Sequence, residues 1–216
     1  MNIEQARFNM IEQQIRPWNV GDQGVLELLS KVKRENFFPE NQKNMAFFDI
    51  ELPLPGGAHS LSPKVEARIL QAMAVKNNET VLLIGAGSGY LAALLANQAR
   101  HVTVVEANAA LKAMAEDNLR KNDVNNVDVQ WGDALKTKQG STFDVIVVNG
   151  SLEELPDGLQ QQLSNGDRLF AIVGKAPVMY AQVITRESDL FFNCVNLFET
   201  CVQRLSQAEA ISTFTF

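Results

Sequence analysis

Cysteine is nearly absent from this 216-residue chain, which carries only Cys194 and Cys201. They stand seven apart in a stretch that reads as a strand, where odd spacing points side chains to opposite faces, so they are not expected to bridge. A disulfide scaffold is thereby excluded. Both are expected as small buried hydrophobes, reduced as in a cytoplasmic protein. Histidine is equally scarce. Neither His59 nor His101 has a cysteine or carboxylate at ligand spacing, so no metal site is expected. No apolar run approaches the ~20 residues that cross a bilayer, and the polar, amphipathic stretch from Met1 to Arg16 does not read as a secretory signal. Basic residues are outnumbered, 19 against 25 acidic, giving a formal charge of −6. That balance leaves no electrostatic footprint for nucleic acid or for a membrane surface. Lys31, Lys33 and Arg34 form the only dense basic cluster, at the end of a predicted helix where cations complement the dipole.

What is present is an ordinary globular composition, 46% apolar and 20% charged. Helices are predicted over Glu4 to Gln14 and Val25 to Val32, and Phe37-Phe-Pro39 ends the helical section. A Pro/Gly-rich loop follows, from Leu52 to Pro63, long enough to suggest a function. Ser62 is placed as the N-cap and Pro63 in the first turn of a helix to about Ala74. Strands and helices then alternate. Strands are expected over Thr80 to Ile84, His101 to Val105, Val127 to Trp131, Phe143 to Val148 and Asp167 to Val173. Helices are expected over Tyr90 to Gln98 and Ala109 to Lys121, with a further helical piece around Leu159 to Leu163. This rhythm indicates βαβ units and a parallel sheet. After Gly174 two β-rich runs, Val178 to Thr185 and Leu190 to Gln203, read as an antiparallel hairpin closing it. Leu205 to Phe216 alternate in a way that suits a closing strand.

The informative segment is Val81-Leu-Leu-Ile-Gly-Ala-Gly-Ser-Gly-Tyr90, a buried strand running through a glycine turn into a helix. Such a turn lets a ligand approach the main chain at the carboxyl edge of the sheet. Gly85, Ala86, Gly87, Gly89 and Tyr90 are therefore placed at a nucleotide-like cofactor. Glu106, 21 positions after Gly85, ends the next strand, where a carboxylate can accept from both ribose hydroxyls; Ala107 stands beside it. Asp133, in Gly132-Asp133-Ala134 after the following strand, is placed at an adenine amine, with Ala134 alongside. Asn149, ending the fourth strand, completes the set. A dinucleotide fingerprint would want glycine where Tyr90 stands, and the Gly-Lys-Ser/Thr of a phosphate loop is absent. The pattern looks like a class I methyltransferase that takes S-adenosyl-L-methionine. The acid usual in that class two residues before the first glycine is Leu83 here. Trp18 and Trp131 are expected to be core, Trp18 with some part in covering the cleft.

The order Glu12-Gln-Gln-Ile-Arg16, Phe37-Phe-Pro39, Leu52-Pro53, Pro63-x-x-x-Ala67-Arg68 and Ile84-Gly-Ala-Gly-Ser-Gly-Tyr90 resembles the protein-L-isoaspartate (D-aspartate) O-methyltransferases. Gly132-Asp133, Phe143-Asp144, Leu155-Pro156 and Asp167-Arg-Leu169 fit the same pattern. The resemblance implies a Rossmann-like α/β domain spanning 1–216, with N-terminal helices and an acceptor loop (1–62), a cofactor core (63–175) and a β-rich end (176–216). It implies methylation of isoaspartyl residues in damaged protein or peptide substrates. The family's loop Gly-Gln-Thr-Ile-Ser-x-Pro aligns with Gly57-Ala-His-Ser-Leu-Ser-Pro63, so Leu61 stands at the family's serine. His59, Ser60 and Ser62 are the polar residues left to act there. The alternatives are a family member acting on another acceptor, or a cofactor-binding protein without that activity.

Overall fold

A computed structural model describes residues 2–136 and 142–205. The chain opens with α1 (Ile3–Asn9), whose cap Asn2 accepts from the Gln5 N–H. The single helix expected to Gln14 instead widens into a π-helical stretch over Met10–Ile15 and tightens into a 3₁₀ turn over Arg16–Trp18. Pro17 in that turn cannot donate to an α-helical ladder, which fixes the break. Helix α2 (Gln23–Lys31) buries Val25, Leu26, Leu28 and Leu29, and 3₁₀ turns at Arg34–Phe37 and Lys43–Phe47 lead to the Pro/Gly loop. Helix α3 (Pro63–Met73) starts where expected, yet Ser62 in the N-cap position makes no side-chain capping bond.

The core then follows: β1 (Thr80–Ile84), α4 (Tyr90–Ala96), β2 (His101–Glu106), α5 (Ala109–Lys121), β3 (Val127–Trp131), β4 (Val145–Leu152), α6 (Asp157–Gln160), β5 (Arg168–Lys175), β6 (Val178–Arg186) and β7 (Phe192–Thr200). The seven strands lie in the order β3-β2-β1-β4-β5-β6-β7. Pairings are parallel from β3 through β5, while β6 runs antiparallel to both its neighbours. The α/β class, the parallel core and the antiparallel C-terminal strands agree with the reading of the sequence. Strand direction reverses its spatial progress between β1 and β4, and the crevice at that switch point is where ligands of open α/β sheets bind. Alternate residues of β1 serve two cores: Val81 and Leu83 pack with α3 and α4, Leu82 and Ile84 with β4, Phe143 and Leu159. A strand buried on both faces must read as a continuous apolar run, as this one does.

Three expectations about single residues are corrected. Cys194 and Cys201 are free as expected but exposed; β7, which carries Cys194 and ends just before Cys201, has β6 as its one neighbour among the described residues. Trp131 is 72% exposed at the end of β3, and Trp18 lies half-open under the Lys64 ammonium, 3.9 Å from its ring centre. Arg34 is no surface cation at a helix end but 1% exposed in the interior. His101 opens β2 at the surface, 3.3 Å from Asp128. No helix of the described residues is long and apolar enough to cross a membrane. The closing strand expected beyond Leu205 lies outside the described residues.

Candidate functional site

Gly85, at the carboxyl end of β1, holds φ +94, in the left-handed region that side chains avoid. A Cβ there would stand 3.4 Å from the Asn149 carbonyl and 2.8 Å from Leu205 Cδ1. Gly89 has φ +87, and a Cβ would press on the Ala115 backbone at 3.2 Å, so glycine lets α4 start close against α5. Glu106 ends β2 beside this turn and is 2% exposed. One carboxylate oxygen accepts the Ala86 N–H at 2.7 Å and the other the Asn108 N–H at 2.8 Å. Each oxygen keeps a further lone pair. From the other side, β4 shifts register between Val147 and Ser151, and this irregularity places Asn149 to donate to the Gly85 carbonyl at 3.1 Å. Strand irregularities of this kind re-aim side chains beside binding sites.

The Pro/Gly loop is more ordered than its composition suggests. Pro53 and His59 bridge as an antiparallel pair, with Leu54 N–H on the Ala58 carbonyl at 2.7 Å and Ser60 N–H on Leu52 at 2.9 Å. Arg34 anchors its return limb. The guanidinium donates to Glu66 at 3.0 Å and to the carbonyls of Ala46 at 2.9 Å and Leu61 at 2.8 Å, with Ser60 Oγ at 3.4 Å. Burial pushes the Glu66 carboxyl up to about 7, with Arg34 opposing the shift. The Arg34 guanidinium also lies 5.6 Å over the Tyr90 ring, coupling the loop to the first residue of α4. Ser60 Oγ accepts the Leu52 N–H at 3.0 Å as well, so its oxygen holds the loop together. Leu61, at the family's serine position, is 4% exposed and belongs to the hydrophobic core.

A third wall comes from the chain after β7. Ser151 exchanges main-chain bonds with this segment, its N–H on the Gln203 carbonyl at 3.1 Å and its carbonyl accepting the Leu205 N–H at 2.9 Å. The Gln203 side chain meets His59 Nδ1 at 2.8 Å through Oε1, and its Nε2 donates to the Gly57 carbonyl at 2.8 Å. Burial pushes the Glu51 carboxyl up, opposed by the Gln203 main-chain N–H and by His59.

One cavity is shared by these walls: Gly85 and Gly87 from the glycine turn, Glu106 from β2, Asn149 and Gly150 from β4, Glu51 and Ala58 to Leu61 from the loop, and Gln203 to Leu205. Of the residues placed there from sequence, Gly85, Gly87, Glu106, Asn149, His59 and Ser60 line it. Ala86 takes part through its main-chain N–H on Glu106. Tyr90 does not line it. Its side chain is 1% exposed and packs on Phe37, with burial raising its phenol and the hydroxyl lacking a hydrogen-bond partner. Ala107 is exposed, Ala134 is buried beside Val105, and Ser62 lies outside the cavity. Asp133 stands one strand beyond Glu106, its carboxylate on the Leu135 N–H at 3.1 Å and Lys136 at 3.2 Å. Sequence reasoning missed Glu51, Leu111, Gln203, Arg204 and Leu205. No motif marks them, since the fold brings them in from distant positions.

A family model described as protein-L-isoaspartate(D-aspartate) O-methyltransferase matches residues 5–202. The chain is 37% identical over 185 residues to protein-L-isoaspartate O-methyltransferase 2 of an Anaeromyxobacter species, covering 85% of this chain and 76% of that one. It is 32% identical over 191 residues to the protein-L-isoaspartate O-methyltransferase of Petrotoga mobilis, covering 88% and 90%. Among solved structures, a Plasmodium falciparum protein described as a protein-L-isoaspartate O-methyltransferase, in complex with S-adenosyl-L-homocysteine, superposes with a TM-score of 0.80. At 18% identity, over 96% of this chain and 99% of that one, it supports the fold. By the extent of the family match and of these identities, the chain belongs to the protein-L-isoaspartate(D-aspartate) O-methyltransferase family.

Proposed function

We propose that this protein transfers the methyl group of S-adenosyl-L-methionine to the α-carboxylate of isoaspartyl residues in damaged proteins or peptides, in the cytoplasm. The carrying observation is the Glu106 carboxylate, buried beside the glycine turn with each oxygen already fixed by one N–H. That arrangement fits a ribose: acceptor capacity remains on both oxygens, and their positions are set before a ligand arrives. Gly85 and Gly87 hold φ values of +94 and +55, a turn that side chains avoid, and Asn149 supplies a carboxamide on the facing strand.

Bound there, the donor supplies a sulfonium-activated methyl group. The acceptor is a carboxylate, already anionic, so no side chain has to remove a proton. An oxygen–carbon bond forms as the sulfur–carbon bond breaks, and opposite charges become a neutral ester and a neutral thioether. The protein's task is to hold the two in line at contact distance. The loop from Leu52 to Leu61, braced by Arg34, forms the wall facing the glycine turn, and His59 and Ser60 are its polar groups in the cavity. His59 contributes as a hydrogen-bond donor or acceptor and not as a required base.

A second reading follows from Leu61. Its side chain is built into the core where the family has a hydroxyl, which favours an acceptor other than isoaspartate. Transfer from labelled S-adenosylmethionine to an isoaspartyl peptide, with the aspartyl peptide as control, decides between them. Selective labelling of the isoaspartyl peptide is the expected result; no labelling by folded protein leaves the second reading.

A further inference from the structure

The Pro/Gly loop carries one side chain whose chemistry the methylation of a carboxylate leaves unused. His59 lines the cavity with Gly85, Gly87 and Glu106. Its main chain is held on both sides, by the bridge to Pro53 and by the bonds of Leu54 to Ala58 and of Ser60 to Leu52. The ring is held as well. Gln203 Nε2 donates to the Gly57 carbonyl at 2.8 Å, and a carbonyl only accepts, so that contact decides which end of the carboxamide is the NH₂. The other end is the oxygen, 2.8 Å from His59 Nδ1. An amide oxygen also only accepts, so Nδ1 carries the proton. In the neutral imidazole Nε2 then keeps its lone pair, and it has no hydrogen-bond partner among the described residues.

The other polar groups of the cavity are already committed. Both Glu106 oxygens accept main-chain N–H groups, and Ser60 Oγ accepts the Leu52 N–H beside Arg34. The Glu51 carboxyl accepts the Gln203 main-chain N–H and lies close enough to His59 for a charge on the imidazole to favour its ionised form. By the same attraction a Glu51 carboxylate offsets the charge that His59 gains with a second proton. A base held in one tautomer by an acceptor on its far nitrogen, with a carboxylate nearby, is an arrangement for removing a proton from a nucleophile.

We propose that His59 is a general base with which this protein also methylates a neutral phenolic hydroxyl, and that Gln203 is the positioning residue that keeps Nε2 free of a proton. The inference rests on the reading of the glycine turn as the donor site. The phenol oxygen bonds to the methyl carbon as the sulfur–carbon bond breaks, its electron pair staying on sulfur. His59 Nε2 takes the hydroxyl proton, so the positive charge of the sulfonium ends on the imidazolium. His59 is exposed, and the proton passes from it to solvent. An isoaspartyl carboxylate brings no proton, and that reaction does not call on the base. The family transfers methyl groups to oxygen, which keeps the acceptor atom an oxygen. Among hydroxyls a phenol, with a pKa of about 10, is acidic enough for an imidazole to assist, whereas one as weak as water, at about 16, is not.

The first test needs no donor. Protein labelled with ¹⁵N-histidine has only His101 as a second signal, and the imidazole shifts report the tautomer. Neutral His59 should be protonated on Nδ1 in wild type and should shift toward Nε2–H in Gln203→Ala. The second test follows transfer from labelled S-adenosylmethionine to 4-cyanophenol and 4-methylphenol beside the isoaspartyl peptide, with the methyl ether identified by mass spectrometry. Wild type should form the ether. His59→Gln, shown folded by its thermal transition, should lower kcat/KM for the phenols about 10²-fold to 10⁴-fold. For the isoaspartyl peptide the fall should be no more than about tenfold, the equivalent of one hydrogen bond. Added imidazole should restore ether formation to His59→Ala and leave its isoaspartyl transfer unaided. Because Glu51, Glu106 and Arg204 share the cavity, the acid fall in ether formation must follow the NMR titration of His59 itself. An Nε2–H tautomer in wild type, equal falls for both acceptors in His59→Gln, or no ether from wild type that binds S-adenosylhomocysteine would each overturn the proposal alone. Wild type that does not bind S-adenosylhomocysteine would overturn the donor-site reading, and the proposal with it.

Discussion

Replacing Glu106 by glutamine separates two jobs that the carboxylate performs. Both oxygens accept a main-chain N–H, from Ala86 at 2.7 Å and from Asn108 at 2.8 Å, in a site 2% open to solvent. A carboxamide has one oxygen. Whichever way it is turned, one of those N–H groups faces an NH₂ and is left unsatisfied, a loss of about 1–3 kcal/mol for a buried donor. The bond that survives is no longer charge-assisted, which removes about 1 kcal/mol more. The ligand-free protein should therefore lose about 2–4 kcal/mol, a fall in Tm of roughly 5–15 °C for a domain of this size. The second job is toward the ribose. Losing one of two charge-assisted bonds to its hydroxyls should weaken S-adenosylhomocysteine binding by about 1.5–3 kcal/mol, or roughly 10-fold to 150-fold in Kd. Calorimetric titration well below the Tm of the variant measures this without confusion from unfolding. A lowered Tm with a Kd within threefold of wild type would show that Glu106 only braces the glycine turn, and the ribose assignment would be wrong. An unchanged Tm would mean that the two N–H bonds do not contribute as argued.

Restoring the family's hydroxyl with Leu61→Ser should raise turnover of an isoaspartyl peptide by about tenfold or more, up to the 10²–10³ typical of one positioned donor. It should also destabilise the protein by about 2–5 kcal/mol, because Leu61 is 4% exposed in the core. Steady-state kinetics beside a thermal melt checks both, and a fall in turnover would refute the idea that the hydroxyl is what this loop lacks. Glu66 makes stability depend on pH in a defined direction. Its carboxyl is pushed up to about 7 by burial, above the ordinary 4.5, so the folded state holds a proton that the unfolded chain releases. That contribution is complete below about pH 4.5 and is lost as pH rises through about 7, on the order of 3 kcal/mol in all. Urea unfolding at pH 5.5 and 8 should show a decline in wild type that Glu66→Gln, which keeps an acceptor for Arg34, largely removes. Equal declines in the two proteins would place the titration elsewhere.

The sequence by itself determined the class of fold and the glycine turn with Glu106 beside it, because those depend on local signals. A strand buried on both faces has to be continuously apolar, as Val81 to Ile84 are. A turn at φ +94 has to carry glycine, as at Gly85, and Glu106 follows at the distance that one βα unit sets. What the tertiary structure alone decided are contacts between residues far apart in sequence, whose identities look ordinary. Arg34 reads as a cation at a helix end, yet it is buried because Glu66 and the carbonyls of Ala46 and Leu61 converge on it from three other segments. Tyr90 reads as part of the glycine turn, but α4 begins there and its first side chain is carried into the core beside Phe37. Gln203 and Leu205 carry no motif at all. Their meaning comes from the return of the chain after β7 across the switch point, which brings them onto Gly57, His59 and Gly85. Local periodicity and turn chemistry can be read one residue after another; which distant side chains close a cavity is set by packing.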